Sequence, residues 1–167
     1  MAKTKAQKKE ITDKLEAAFK AAASTVFVHF KGVTVAEESD MRRKLRAEGV
    51  KYTVAKKTLI GRALSALGHK HEEVPMEGEI ALAYNTGDSN DPTAPARLMH
   101  SFGEKLKGKL LIVGGLFEGV LKNALGMQTI ATIPAMDVLR GMFANIVNSP
   151  RARFAIALNE VAKTKTS

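Results

Sequence analysis

Short runs of β-branched and aromatic residues alternate along this chain with stretches whose apolar residues recur at three- and four-residue steps. That alternation commits the chain to a sheet with helices laid against it. "STVFVHF" at 24–30, residues 51–55, "EIALAYN" at 79–85 and "KLLIVGGLFEG" at 109–119 predict four strands. Helical spacing predicts helices over 5–22, where Ile11, Leu15, Ala18 and Ala22 align, and over 35–48, 57–67, 93–107 and 122–131. Thr34 with Glu37 three positions on is a capping-box pattern for the second of these. Gly49 and Gly68 mark helix stops, and Gly32 suits a tight turn that needs a positive φ. The Gly114–Gly115 pair inside the fourth strand predicts a bulge. Residues 69–78 and 86–95 read as loops dense in turn residues. Helices and strands interleave without strict βαβ regularity, so the expected architecture is an α+β sandwich on a four-stranded sheet.

The sheet pattern ends near residue 131, yet the chain continues with helical spacing from Pro134 almost to its end. Pro134 suits a first helical turn, and Pro150 predicts a kink or a break. Val138, Met142 and Ile146 form one column, and Leu139, Phe143 and Val147 an adjacent one. Beyond Pro150, Phe154, Leu158 and Val161 continue a stripe. Such a stripe folds back on its own domain, bends at Pro150 into a hairpin, or receives partner helices. A membrane-lying helix fits poorly, because the dense Lys/Arg face and Trp anchors are lacking. The expected division is a domain over 1–131 and a helical segment over 132–167.

A chain of 167 residues suits one domain with an extension. It has no cysteine, which excludes disulfides and thiolate metal sites and fits a reducing compartment. The longest apolar run, 110–117, is far too short to span a bilayer, and no apolar stretch follows the charged N-terminus, so no export is expected. The net charge of +9 is unevenly spread. Residues 1–70 carry 16 Lys/Arg against 7 Asp/Glu, whereas 71–167 carry 10 of each. A positive field confined to one part of a surface attracts polyanions, although a basic bias also serves solubility.

Enzyme signatures are missing. There is no phosphate-cradling G-x-x-x-x-G-K-[ST] and no G-x-S-x-G. His69 and His71 form an H-x-H pair without a third ligand nearby, Asp88 and Asp91 sit in turn chemistry, and His29 reads as a packed or partly exposed histidine of an apolar strand. No catalytic residue, metal ligand or cofactor is expected. The basic residues are the candidates instead: Lys8 and Lys9 in the N-terminal run, Lys31 beside Gly32, Arg42, Arg43 and Arg46 on the second helix, and Lys56, Lys57, Thr58 and Arg62 around a strand-to-helix junction. Ammonium groups at the mouth of a helix, beside free backbone N–H groups, suit phosphate, and the alternative is a merely solvated rim. With no Trp and two Tyr, stacking on single-stranded bases is not the expected mode, and folded RNA read through backbone and shape fits better.

"HFKGVTVAEESDMRRKLRAEGVKYTVAKKTLIGRAL" at 29–64 resembles a block of the bacterial ribosomal protein L-ten family: a Tyr-x-Gly-Leu-Thr-Val turn, a Leu-Arg-x-x-Leu-Arg helix and a Tyr-x-Val-Val-Lys-Asn-Thr-Leu junction. "KLLIVGGLFEG" is similar to its Lys-Gly-Gly-x-x-x-Gly strand, and "IATIPAMDVL" to the approach to its C-terminal helix. The resemblance implies a cytoplasmic, non-catalytic protein of the large ribosomal subunit. It implies a ferredoxin-like N-terminal domain that binds ribosomal RNA of the GTPase-associated region beside protein L-eleven. It also implies a C-terminal helix carrying dimers of the acidic stalk protein L-seven/twelve, which recruits translational GTPases. By matching position, Lys31, Gly32, Arg42, Arg46, Lys56, Lys57, Thr58 and Arg62 are its RNA-side residues. Lys57 stands where asparagine is usual, Met41 where leucine is usual, and Arg151 and Arg153 where small or apolar residues are usual. The tail has room for segments at about 136–148 and 152–163, so two dimers are expected. A related assembly factor whose tail carries no dimers is the alternative.

Overall fold

The computed structural model describes residues 5–68, 78–85 and 91–166, with side chains from Lys9 to Lys165 among them. Two compact units divide the chain, Met1–Ile133 and Pro134–Ser167. The first holds β1 (Ser24–Phe30), β2 (Val50–Val54), β3 (Ile80–Asn85), β4 (Leu110–Phe117) and β5 (Val120–Asn123). Its helices are α1 (Lys5–Ala21), α2 (Val35–Ala47), α3 (Lys57–Ala66), α4 (Ala94–Lys105) and α5 (Ala124–Ala131), and the second unit is a single helix, α6 (Met136–Thr166). The loops expected around His69, His71 and Asp88 lie outside the described residues.

The sheet order is β2-β3-β1-β4-β5, and every pairing is antiparallel. Its first four members follow the split β-α-β order of ferredoxin-like folds. Because β1 and β2 are each antiparallel to β3, they run parallel to one another and end at the same rim. β3 and β4 begin at that rim, since both oppose β1.

Helices cover both sheet faces. Val26, Val28 and Ile112 pack with Met41 and Leu45 of α2, Met99 and Phe102 of α4 and Met127 of α5. Phe27, Ile80, Leu82 and Leu116 pack with Leu15 and Phe19 of α1 and Ile60 and Leu64 of α3. Phe19 meets Phe27 edge to face, with ring centroids 6.3 Å apart. Strands covered on both sides read as near-continuous apolar runs, which is why 24–30 and 79–85 lack polar alternation.

Local chemistry follows the residues. Thr34 and Glu37 close the capping box of α2: the Thr34 N–H donates to Glu37 Oε2 at 2.8 Å and the Glu37 N–H to Thr34 Oγ1 at 3.3 Å. The expected bulge lies at the glycine pair. Phe27 pairs with Gly114 and Val28 with Ile112, so Val113 is the extra residue. It moves β4 half a pleat, so that Ile112 serves one core and Leu116 the other. Gly115 is then pressed on its neighbour: a Cβ there would stand 2.5 Å from the Thr25 carbonyl oxygen and 2.9 Å from Met127 Cε.

One expectation is corrected and another narrowed. Among the described residues the sheet has five strands, because the chain turns back after Phe117 and adds β5 before the helix expected from about residue 122 begins at Ala124. Phe117 pairs with Val120, and the two loop residues between them, Glu118 and Gly119, have φ of +50° and +77°. Positive φ at both positions is the type I′ geometry that matches strand twist. Of the kink or break expected at Pro150, the break does not occur: α6 runs through it from Met136 to Thr166. A proline in a helix interior removes one hydrogen bond at a cost of about 3 kcal/mol. Here the helix is exposed on both sides of it, so the freed carbonyl can bond to water.

Candidate nucleic-acid interface

The rim where β1 and β2 end gathers cations from three places in the chain. Lys31 follows β1, Lys56 and Lys57 follow β2, and Lys107 and Lys109 precede β4. The Lys31 N–H donates to the Lys109 carbonyl at 2.9 Å, which ties the first of these segments to the third. Lys31, Lys56, Lys57, Arg62 and Lys107 are exposed, and no ion pair engages them among the described residues. Lys109 differs. Its Nζ donates to both carboxylate oxygens of Glu37, at 2.9 and 3.1 Å, and so bolts the start of β4 to the first turn of α2. The Thr34 N–H first, then Lys109 and the Thr34 hydroxyl, hold the Glu37 carboxyl down at about 2, so it stays charged.

β1 and β2 are not neighbours in the sheet. β3 lies between them, and the rim still collects their lysines because both strands run the same way. Lys107 was missed as a candidate. Its signal was the Lys-Gly-Lys step at 107–109, but only the strand order places that step beside Lys31.

A cavity of about 770 Å³ opens at this rim. Lys56, Lys57, Thr58 and Arg62 line one part of it, and Ile11, Leu59 and Ile80, from the core under α1 and α3, give it an apolar floor. Lys56 is the N-cap of α3 and makes no side-chain cap. The first helical bonds are those of the Leu59 and Ile60 N–H groups to the Lys56 carbonyl, so the N–H groups of Lys57 and Thr58 precede them.

The arginines of α2 lie elsewhere. The helix starts at the rim and runs away from it, carrying Arg42, Arg43 and Arg46 along its flank. Arg42 donates to Glu38 at 2.7 and 3.1 Å and lies 5.0 Å over the Tyr52 ring of β2. Burial, with Glu38 adding to it and Arg42 opposing it, pushes the Tyr52 hydroxyl up to about 12. Arg43 pairs with Asp40, and Arg46 is exposed in the last turn. Gly32 holds a φ of +68° beside Lys31. Lys9 is exposed on α1, whereas the Lys8 side chain lies outside the described set. His29 is half-buried, its Nδ1 3.1 Å from the Glu79 carbonyl oxygen.

In the second unit, every residue of 136–165 but Ser149 is exposed. Val138, Leu139, Met142, Phe143, Ile146 and Val147 cover an arc of about 180° at 100° per residue, wider than the stripe one core needs. Phe154, Leu158 and Val161 continue along one border of it, and Ile156, which the stripe did not include, lies off that border and is also exposed. No single helix among the described residues is long and apolar enough to cross a membrane.

The family model for ribosomal protein L10 matches residues 3–103. The chain belongs to the ribosomal protein L10 family. The match to the L10 family covers β1 to β3 and most of α4, and with them every rim cation except Lys107 and Lys109. Relatives extend it over α6. One from Shouchella clausii (strain KSM-K16), named large ribosomal subunit protein uL10, is 32% identical over 165 residues, 99% of this chain and 97% of its own. Those of the same name from Rhizobium meliloti (strain 1021) and Clostridium tetani (strain Massachusetts / E88) are both 34% identical, the first over 90% of this chain and 85% of its own, the second over 95% and 87%.

Proposed function

We propose that this chain is the base of the ribosomal stalk, gripping large-subunit ribosomal RNA with its sheet rim and holding acidic stalk protein dimers on α6. As an L10-family chain it is a structural constituent of the large ribosomal subunit, a cytoplasmic particle in bacteria, and not a catalyst. The observation that carries the finer reading is the separation of two surfaces. One unit concentrates exposed cations at a rim, and the other exposes an apolar arc on a helix of 31 residues. An arc that wide has room for helices from more than one side, and an apolar helix face is a helix-docking element. The two segments flanking Pro150 each offer such a face, which supports two dimers. Protein L-eleven is the expected neighbour on the RNA, and translational GTPases are reached only through the stalk dimers.

Removing residues 134–167 tests this. The shortened chain should retain salt-sensitive binding to large-subunit RNA and lose capture of the acidic stalk protein. Retained capture would remove α6 from the interface.

A further inference from the structure

We propose that the rim cavity receives one unstacked nucleotide, its base on the apolar floor and its phosphate on Lys56, Lys57 and Arg62; this rests on the rim being an RNA surface. A phosphate backbone alone needs no hollow, because surface lysines meet it on a convex face. The rim has a hollow nonetheless, and its 770 Å³ falls among small-molecule sites, about 300–1,000 Å³. Its floor is apolar where a phosphate site would be polar. Leu59 is 5% exposed and Ile80 2%, and with the half-buried Ile11 they belong to the core between the sheet and helices α1 and α3, so the floor offers a base an apolar surface. The cations enter from α3, so apolar and cationic walls meet in one cavity, the two chemistries that a nucleotide joins. Glu79 lines the cavity too. One carboxylate against three cations weakens the grip on a bare anion, while it can accept an N–H from a base edge. The site therefore favours a nucleotide over phosphate. The same chemistry is offered by a nucleotide within an RNA strand and by a free one.

Two measurements on the full chain decide it. In methyl NMR spectra, the four nucleoside monophosphates are titrated against inorganic phosphate. The nucleotides should move the Ile11, Leu59 and Ile80 methyl signals, and phosphate should leave them in place. Equal movement by both overturns the proposal. The second measurement is the Ala55→Leu variant, which narrows the cavity without touching a charge. Its affinity for deproteinised large-subunit RNA should fall about tenfold, the loss of one base contact, with the salt slope unchanged. A folded variant that binds like wild type overturns the RNA-strand form even if free nucleotides move the methyls. Wild-type protein whose RNA binding ignores salt would sink the underlying RNA reading instead, and the NMR titration would still judge the cavity.

Discussion

Replacing Lys56 and Lys57 together by alanine should change how RNA binding responds to salt, and the structure sets the size of the change. Among the described residues, five cations at the rim are exposed and outside any ion pair: Lys31, Lys56, Lys57, Arg62 and Lys107. Each phosphate neutralised contributes about −0.7 to −0.9 to the slope of log affinity against log salt, so five give about −4. Between 50 and 200 mM salt, wild-type affinity should therefore fall about 250-fold. The double variant keeps three contacts and a slope of about −2.4, so its affinity should fall about 30-fold over the same range. The assay is filter binding of a labelled large-subunit RNA fragment at four or more salt concentrations. Lys20→Ala is the control, because it removes a charge from the last turn of α1, at the opposite rim. A double variant with the wild-type slope, or a control that loses as much as the double variant, would refute the rim as the phosphate surface.

Three further outcomes are expected. Gly115→Ala drives a methyl against the Thr25 carbonyl oxygen, which belongs to the neighbouring strand and cannot swing aside; denaturant titration should show a loss of about 1–3 kcal/mol, and an unchanged midpoint would mean β1 and β4 part freely. The Glu37 carboxyl is held at about 2, below its unfolded value of 4.5, so its stabilisation is complete above pH 4.5 and is lost as pH falls from there towards 2. Glu37→Gln should remove that part of the acid limb in thermal melts, and superimposable limbs would count against the Glu37–Lys109 bolt. Pro150→Ala restores a helical N–H and should raise the helical circular dichroism and thermal resistance of α6 by up to about 3 kcal/mol, whereas a loss of helicity would mean the proline is required where it stands.

Features decided by near neighbours were legible in the sequence. Thr34 and Glu37 form their capping box because the two residues need only each other. Gly32, Gly49 and Gly68 hold φ of +68°, +72° and +84°, as turn and helix-stop positions demand. The bulge fell beside Gly114. What escaped depends on distant partners. Val120 and Leu121 are only two apolar residues, and they make a strand because β4 offers an edge and Glu118–Gly119 takes the I′ turn. Lys107 joins the candidate rim only through the strand order, which no local spacing encodes. Arg42, promising by helical spacing, turns out to be half-buried between Glu38 and Tyr52, a pairing that needs β2 beside α2. For the tail, the period alone gives the columns and not what covers them.

The openness of α6 has a consequence for the protein before assembly. At 1.5 Å per residue this rod is about 46 Å long, and its Phe143, Ile146 and Phe154 side chains are each about two-thirds or more exposed to water. With only marginal helical preference of its own to hold it and greasy side chains along it, an orphaned copy is an invitation to self-stacking and to proteases. Producing this chain alone should therefore yield clumped or clipped material, and co-production with the proposed stalk protein should rescue the yield.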